Sequence, residues 1–188
     1  MMSGFHWLVA LALITGAPAA LAQKVKLATS MGDIVVQLDA EKAPKSVANF
    51  VQYVKDGHYD GLIFHRVIPT FMIQGGGFDA TMKQKATRAS IPLESRNGLS
   101  NLRGTIAMAR TMVPDSATSQ FFINVVDNQR LDAANSPDGN GYAVFGKVIS
   151  GMDVVDKIRA VPIGDKAGHQ NVPQQTVVIK KATLESDK

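Results

Sequence analysis

The chain has 188 residues, of which 45% are hydrophobic and 19% are charged, a composition that fits one globular domain with a sizeable core and excludes a disordered chain. It contains no cysteine, which excludes disulfides, thiolate metal sites and cysteine nucleophiles. The formal net charge of +4 is scattered along the sequence rather than clustered, and this argues against a nucleic-acid interface.

The first segment of the chain has the order of a cleaved secretory signal. An apolar run at residues 5–14 precedes the small-residue site Ala20-Leu21-Ala22, although no Lys or Arg stands before the run. A buried N-terminal helix or a membrane anchor is the alternative, but about 10 apolar residues are too few to cross a hydrocarbon core that needs about 20. We predict cleavage after Ala22, one mature domain at residues 23–188 and no membrane span after cleavage.

The mature chain opens with a predicted hairpin and a helix. Apolar and polar residues alternate at 24–29 and 33–38, on either side of a tight turn at Gly32. Apolar residues then recur at helical spacing between Pro44, which suits a first helical turn, and Gly57, which suits a stop. The sequence therefore predicts two strands followed by one amphipathic helix.

Six further apolar runs, each bounded by Gly, Pro, Asn or Asp, predict strands at residues 62–68, 71–74, 105–109, 121–125, 142–149 and 176–181. A second helix is predicted at 152–161, before Pro162, and a surface loop at 132–141. Many strands and two helices predict a mainly β fold, a closed antiparallel eight-stranded β-barrel with two capping α-helices.

Two segments carry the functional signal. Residues 64–77 contain one arginine and one glutamine among bulky apolar side chains, and the segment ends in three consecutive glycines. Residues 119–123 supply a second alternation of polar and aromatic side chains. In content and order the two segments resemble the signature of the cyclophilins, which are peptidyl-prolyl cis/trans isomerases, and the resemblance extends over residues 25–181.

The resemblance implies catalysis of rotation about Xaa-Pro bonds. This rotation breaks no covalent bond and moves no proton, but it faces a barrier of about 18–20 kcal/mol because the amide loses its conjugation. The prolyl nitrogen of the twisted amide regains a lone pair, so a fixed cationic donor binds the transition state better than either planar form. Arg66 has the chemistry of that donor, since its charge persists at any working pH.

The resemblance also implies the other site residues. The predicted catalytic residues are Arg66, Phe71, Gln74 and Phe122. The predicted substrate-binding residues, which form pocket walls and contacts to the substrate backbone, are Met72, Ala109, Arg110, Gln120, Leu131 and Tyr142. Taken singly, the apolar members could instead be core residues. No cofactor and no metal are implied.

Three positions depart from the best-known members of the family. Arg110 stands where many members have asparagine, at a position where the family uses mainly the backbone. Arg130 stands where many have tryptophan, which argues against tight inhibition by cyclosporin. Tyr142 replaces a common histidine, after a lengthened loop that resembles the periplasmic bacterial branch, and it either edges the site or packs as a strand aromatic. His65 is predicted to be structural, hydrogen-bonded and on the opposite face from Arg66.

Other chemistries are poorly supported. Residues 141–147 have the spacing of a phosphate-binding loop, but Val148 replaces the required Ser or Thr, and no Gly-x-Ser-x-Gly is present. We predict a monomeric, cofactor-free periplasmic isomerase that acts on proline-containing segments of unfolded exported proteins. A chaperone or binding module with little turnover, and a structural partner domain, are the alternatives.

Overall fold

The computed structural model describes residues 23–185. Its elements in chain order are β1 (Lys24–Thr29), β2 (Gly32–Leu38), α1 (Pro44–Lys55), β3 (Leu62–Ile68), β4 (Met72–Asp79), β5 (Thr105–Met108), β6 (Phe121–Asn124), β7 (Val144–Ser150), α2 (Met152–Arg159), β8 (Ile163–Lys166), β9 (His169–Pro173) and β10 (Ile179–Glu185). The predicted signal segment lies outside the described residues. Within them, no helix is long and apolar enough to span a membrane.

The opening hairpin and first helix form where the sequence predicts them. Thr29 Oγ1 donates to the Gly32 carbonyl at 2.6 Å, and Gly32 has φ +130°, a conformation that favours glycine. Pro44 occupies the first turn of α1. The Glu94 carboxylate, from a distant loop, accepts the backbone N–H groups of Lys45 at 3.0 Å and Ser46 at 2.7 Å, and so caps that helix end.

The main sheet is antiparallel throughout and curled. Its eight strands follow the order β10-β1-β2-β7-β5-β6-β4-β3, and each neighbouring pair is antiparallel. The edge strands approach each other at one bridge, between Ile63 and Val178, and the Phe64 N–H donates to the Val177 carbonyl at 3.0 Å. The eight-stranded sheet and two helices are confirmed, whereas continuous closure into a barrel stays a prediction.

The sheet has two apolar faces. Because side chains alternate along a strand, Phe121 and Ile123 of β6 face the main core, while Phe122 between them joins a second cluster on the other face. Phe121 packs edge-on against Phe50 of α1 and against Tyr59, with ring centroids 5.5 Å apart in both pairs. The second cluster also contains Met72, and it forms the floor of the site.

One hairpin was not predicted from the sequence. Strands β8 and β9 form a separate two-stranded sheet, joined by Ala167 and Gly168 at φ +51° and +81°. Two central residues with positive φ are typical of the primed hairpin turns, in which asparagine is usual at the first position. Ala167 at that position conceals the turn in the sequence.

Candidate active site

Strands β4 and β6 present the floor of the site through their pleat. Met72 and Gln74 point to the same face of β4, because Ile73 between them lies in the main core. Gln74 pairs across the ladder with Phe122 of β6, which stands on that same face. The register therefore places a glutamine beside an apolar ring.

Arg66 reaches this face because β3 contains a bulge. Phe64 pairs with Gly75 and Arg66 with Gln74, so two steps on β3 oppose one step on β4. Phe64 belongs to the main core, and strict alternation would turn Arg66 toward that core as well. The extra residue, His65, shifts the phase of the strand and turns the arginine outward.

A chain of hydrogen bonds orients the arginine. Arg66 Nη1 donates to Gln74 Oε1 at 3.2 Å, and Gln74 Nε2 donates to Gln120 Oε1 at 3.0 Å. Gly77 makes room for the last member, since a Cβ at that position would lie 2.6 Å from Gln120 Cδ. Gln74 and Gln120 both carry neutral amides. The hydrogen bonds therefore orient the Arg66 guanidinium without neutralising its charge.

These groups line a cavity of about 690 Å³, which we call the groove. All ten site residues predicted from the sequence line it, namely Arg66, Phe71, Met72, Gln74, Ala109, Arg110, Gln120, Phe122, Leu131 and Tyr142. The prediction missed His65, Phe78 and residues 168–171, which also line the groove. Residues 168–171 belong to the β8–β9 hairpin, whose turn lacks the usual asparagine and was therefore not predicted. No local sequence motif identifies Phe78 as a groove residue.

The apolar part of the groove is built around Phe122. Its ring is 5% exposed and meets the ring of Tyr142 edge-on, with centroids 5.7 Å apart. Tyr142 thus packs against a neighbouring aromatic ring and also lines the groove. Phe71 forms a further wall, and its carbonyl accepts a hydrogen bond from Asn128 Nδ2 at 2.8 Å. This arrangement offers a shaped apolar surface beside the Arg66 guanidinium.

Arg110 fastens the lengthened loop to the groove. Its side chain is only 2% exposed, and its guanidinium lies over the Tyr142 ring, 4.6 Å from the centroid. Nε donates to the Gly141 carbonyl at 2.8 Å, and Nη2 forms an ion pair with Asp138. Hydrogen bonds from the Asn140 backbone and from Arg110 hold the pKa of Asp138 well below its usual range. The side chain at this position therefore has a structural use that the resemblance did not indicate.

Replacing Arg110 with methionine should raise KM for an Ala-Pro peptide by about 3- to 10-fold with little change in kcat, because Tyr142 loses its support. Arg96→Met is the matched control, since Arg96 Nη2 also bonds this loop, at the Gly139 carbonyl, but does not touch Tyr142. Exchange NMR on both variants would check the prediction. Equal KM values for Arg110→Met and native protein would contradict it.

His65 departs from its predicted position. It lines the groove together with Arg66 instead of facing away, and its ring lies 4.6 Å from that of Phe78. The residue is 5% exposed, and its Nδ1 has no hydrogen-bond partner among the described residues. Burial, aided by the nearby His169 and Arg66, lowers the pKa of His65 to about 4.

This pKa predicts a loss of stability in acid. Between pH 6.5 and about 4 the unfolded chain binds a proton at His65 that the folded chain does not, so stability falls as pH falls. The loss approaches about 3 kcal/mol at and below pH 4. Denaturant unfolding of native protein and His65→Gln from pH 7 to 4 should show the native protein losing more. Parallel curves for the two proteins would refute the assignment, because carboxylates titrate equally in both.

The fold and the groove define a class of site: an apolar surface beside one oriented, uncompensated cation. Comparisons with known proteins identify the family. Residues 24–184 match the family described as "Cyclophilin type peptidyl-prolyl cis-trans isomerase/CLD". The chain belongs to this family of peptidyl-prolyl isomerases.

Bacterial relatives are similar over nearly their whole length. The chain is 56% identical to a peptidyl-prolyl cis-trans isomerase of Acinetobacter baylyi over 93% of this chain and 92% of that protein. It is 55% identical to peptidyl-prolyl cis-trans isomerase B of Escherichia coli over 83% of this chain and 96% of that protein.

A solved structure is also similar to this fold. A cyclophilin-type isomerase of Cryptosporidium parvum, solved in the presence of the dipeptide Ala-Pro, gives a TM-score of 0.75 at 29% identity over 88% of this chain and 100% of that one.

Proposed function

We propose that the groove accelerates rotation about Xaa-Pro bonds by stabilising the twisted amide without covalent chemistry. The observation that carries this proposal is the series of side-chain hydrogen bonds from Arg66 through Gln74 to Gln120. These bonds orient the guanidinium beside the apolar surface around Phe122. A donor held in this way needs little reorganisation when the prolyl nitrogen becomes pyramidal.

Arg66 cannot supply the whole effect. A charge-assisted hydrogen bond contributes about 1.5–3 kcal/mol, whereas an acceleration of about 10⁵-fold requires roughly 7 kcal/mol. The remainder would come from holding one side of the bond while the other rotates. In this proposal Phe122, Met72 and Leu131 hold the proline ring. Phe71 closes the apolar wall.

The polar residues have complementary roles. Gln74 orients the guanidinium, and Gln120 supports Gln74 and faces the substrate backbone. Ala109 borders the groove where the backbone at residue 110 offers polar groups to an extended peptide. The Ala109 N–H already donates to the Gln120 carbonyl at 3.0 Å, which joins these two walls of the groove.

The edge strand β3 carries Arg66, so contacts along that edge affect the position of the arginine. Arg66 lies on an edge strand, and the bridge between Ile63 and Val178 fastens that strand shortly before the arginine. This bridge supports the further proposal that the sheet closes into a barrel. Closure would fix the position of Arg66 relative to β4 and β6.

The proposed substrates are proline-containing segments of unfolded or partly folded exported proteins, on which the protein acts as a monomer without a cofactor. The Ala-Pro dipeptide present with the Cryptosporidium parvum relative supports the choice of an Xaa-Pro ligand. The signal-like segment that ends at Ala22 supports export to the periplasm. Uncatalysed isomerisation takes about 10–100 s, slow enough to limit folding there.

Exchange NMR of a short Ala-Pro peptide with residues 23–188 tests the activity without a coupled protease. The proposal predicts cis/trans exchange far above the uncatalysed rate at catalytic amounts of protein. Peptide binding with exchange at the uncatalysed rate would refute it and favour the chaperone alternative.

Export needs its own test. Expression of the full chain in a bacterium, followed by fractionation and N-terminal sequencing, should give a periplasmic protein that begins at Gln23. A cytoplasmic protein that retains Met1 would contradict the proposed compartment.

A further inference from the structure

The groove carries positive charge that its own walls do not neutralise. None of the described residues that line it is an aspartate or a glutamate. Arg66 bonds to the neutral amide of Gln74. Arg110 differs, because its charge is paired with Asp138. A substrate that enters the groove therefore meets uncompensated cationic charge.

Arg130 adds a second such charge at the rim. It lies in the single helical turn Gln129–Leu131, immediately before the groove residue Leu131. Its guanidinium lies over the ring of Phe71, 4.7 Å from the centroid, and the residue is exposed. Phe71 is itself a wall of the groove, so the Arg130 cation lies against a residue that a peptide in the groove would contact.

The carboxylates nearest to Arg130 in sequence are engaged elsewhere. Asp127 accepts the backbone N–H of Arg103 at 2.8 Å. Asp132 accepts the backbone N–H of Asn101 at 2.7 Å and also the hydroxyl of Ser100. Within residues 23–185 no carboxylate forms an ion pair with Arg130.

We propose that Arg130 makes the groove selective for prolines that have an acidic residue close by in sequence. The ring of Phe71 already restricts the guanidinium, so less side-chain freedom is lost when a carboxylate binds to its planar fork. A partly exposed pair of this kind is weak and is screened by salt, which limits the selectivity to about 2- to 5-fold. The inference rests on the proposed function, because it names the substrate preference of the same groove.

Four peptides of the form acetyl-Xaa-Ala-Pro-Yaa-amide test this preference, with Glu or Gln at Xaa and Glu or Gln at Yaa. For each peptide, NMR gives both Kd and the catalysed exchange rate at low ionic strength. A Glu peptide should exceed its Gln counterpart by about 2- to 5-fold in affinity or in kcat/KM, at one flank or the other. Arg130→Gln should abolish that ratio, and 0.5 M salt should reduce it.

Arg88→Gln is the matched control. Arg88 is also an exposed arginine over an aromatic ring, 5.9 Å from the Tyr53 centroid, but it does not line the groove. This variant makes the same change in net charge and should keep the native Glu/Gln ratio.

The inference is overturned if Glu and Gln peptides are equivalent at both flanks, or if Arg130→Gln keeps the native ratio. A ratio lost equally in Arg88→Gln also overturns it, because net charge rather than Arg130 would then be the cause. Failure of the proposed function is distinct: no peptide would be accelerated, and the Kd ratios would still decide the role of Arg130.

Discussion

Replacing Arg66 with alanine is expected to lower kcat/KM for an Ala-Pro peptide by about 10²- to 10³-fold. Loss of one preorganised donor to a charge that develops in the transition state has effects of this size. The loss should fall mainly on kcat, because the apolar walls of the groove, including Phe122 and Met72, still bind the planar peptide. Steady-state exchange NMR measures both constants.

Two further variants sharpen this test. Arg88→Ala removes an exposed arginine outside the groove and should leave kcat/KM within about 2-fold of the native value. Arg66→Lys keeps the charge but loses the planar guanidinium that bonds Gln74. Its kcat/KM should therefore lie between those of Arg66→Ala and the native protein. A value for Arg66→Ala within about 3-fold of the native one would exclude the arginine as the main electrostatic contributor.

Replacing Phe121 with alanine is expected to lower the free energy of unfolding by about 3–5 kcal/mol. Phe121 has no exposed surface, and its ring meets Phe50, Tyr59 and Phe64 edge-on at 5.5, 5.5 and 6.2 Å. Removal of the ring leaves a cavity bounded by three aromatic groups that have little freedom to collapse into it. Because domains are stable by only about 5–15 kcal/mol, this loss is a large fraction of the total free energy of unfolding.

The neighbouring Phe122→Ala variant is its matched control. The same substitution one residue later removes a ring from the groove face, where Tyr142 packs against it. It should weaken peptide binding by about 10-fold or more, with a smaller loss of stability than Phe121→Ala. Urea unfolding and peptide titration separate the two effects. If both variants lose stability and binding equally, the assignment of these rings to opposite faces is wrong.

Local patterns in the sequence predict much of the fold. The alternation in β1 and β2 and the proline at the start of α1 depend only on near neighbours, and the structure confirms these elements. The ten predicted site residues also line one groove. The choice of these residues depends on the resemblance of two segments, because apolar residues such as Met72 and Leu131 are equally consistent with core positions when taken singly, and their roles in the site stay predictions.

The remaining features depend on contacts between distant segments. The bulge that turns Arg66 outward exists only relative to the partner strand, and the pattern around His65 gives no local sign of it. The ion pair joins Arg110 to Asp138, which lies 28 positions later in the sequence, beyond strand β6. The loop conformation places the Arg110 guanidinium over the Tyr142 ring, and residue propensities do not specify that conformation.

The single bridge between the two edge strands and the β8–β9 hairpin are further cases. The bridge between Ile63 and Val178 brings together the two ends of the strand order, and sequence periodicity contains no information on that distance. Ala167 adopts a positive φ at a small cost that the paired strands offset, so the usual turn residue is absent. Of the two features, the hairpin contributes residues 168–171 to the wall of the groove.

Arg66 is expected to stabilise the twisted amide rather than merely to bind the peptide. The rate of cis/trans interconversion on the enzyme, measured by NMR line shapes at saturating Ala-Pro peptide, tests this directly for native protein and Arg66→Ala. The account predicts that the bound-state rate falls about 10²-fold or more in the variant, while Kd changes by less than about 3-fold. Equal bound-state rates in the two proteins would contradict it.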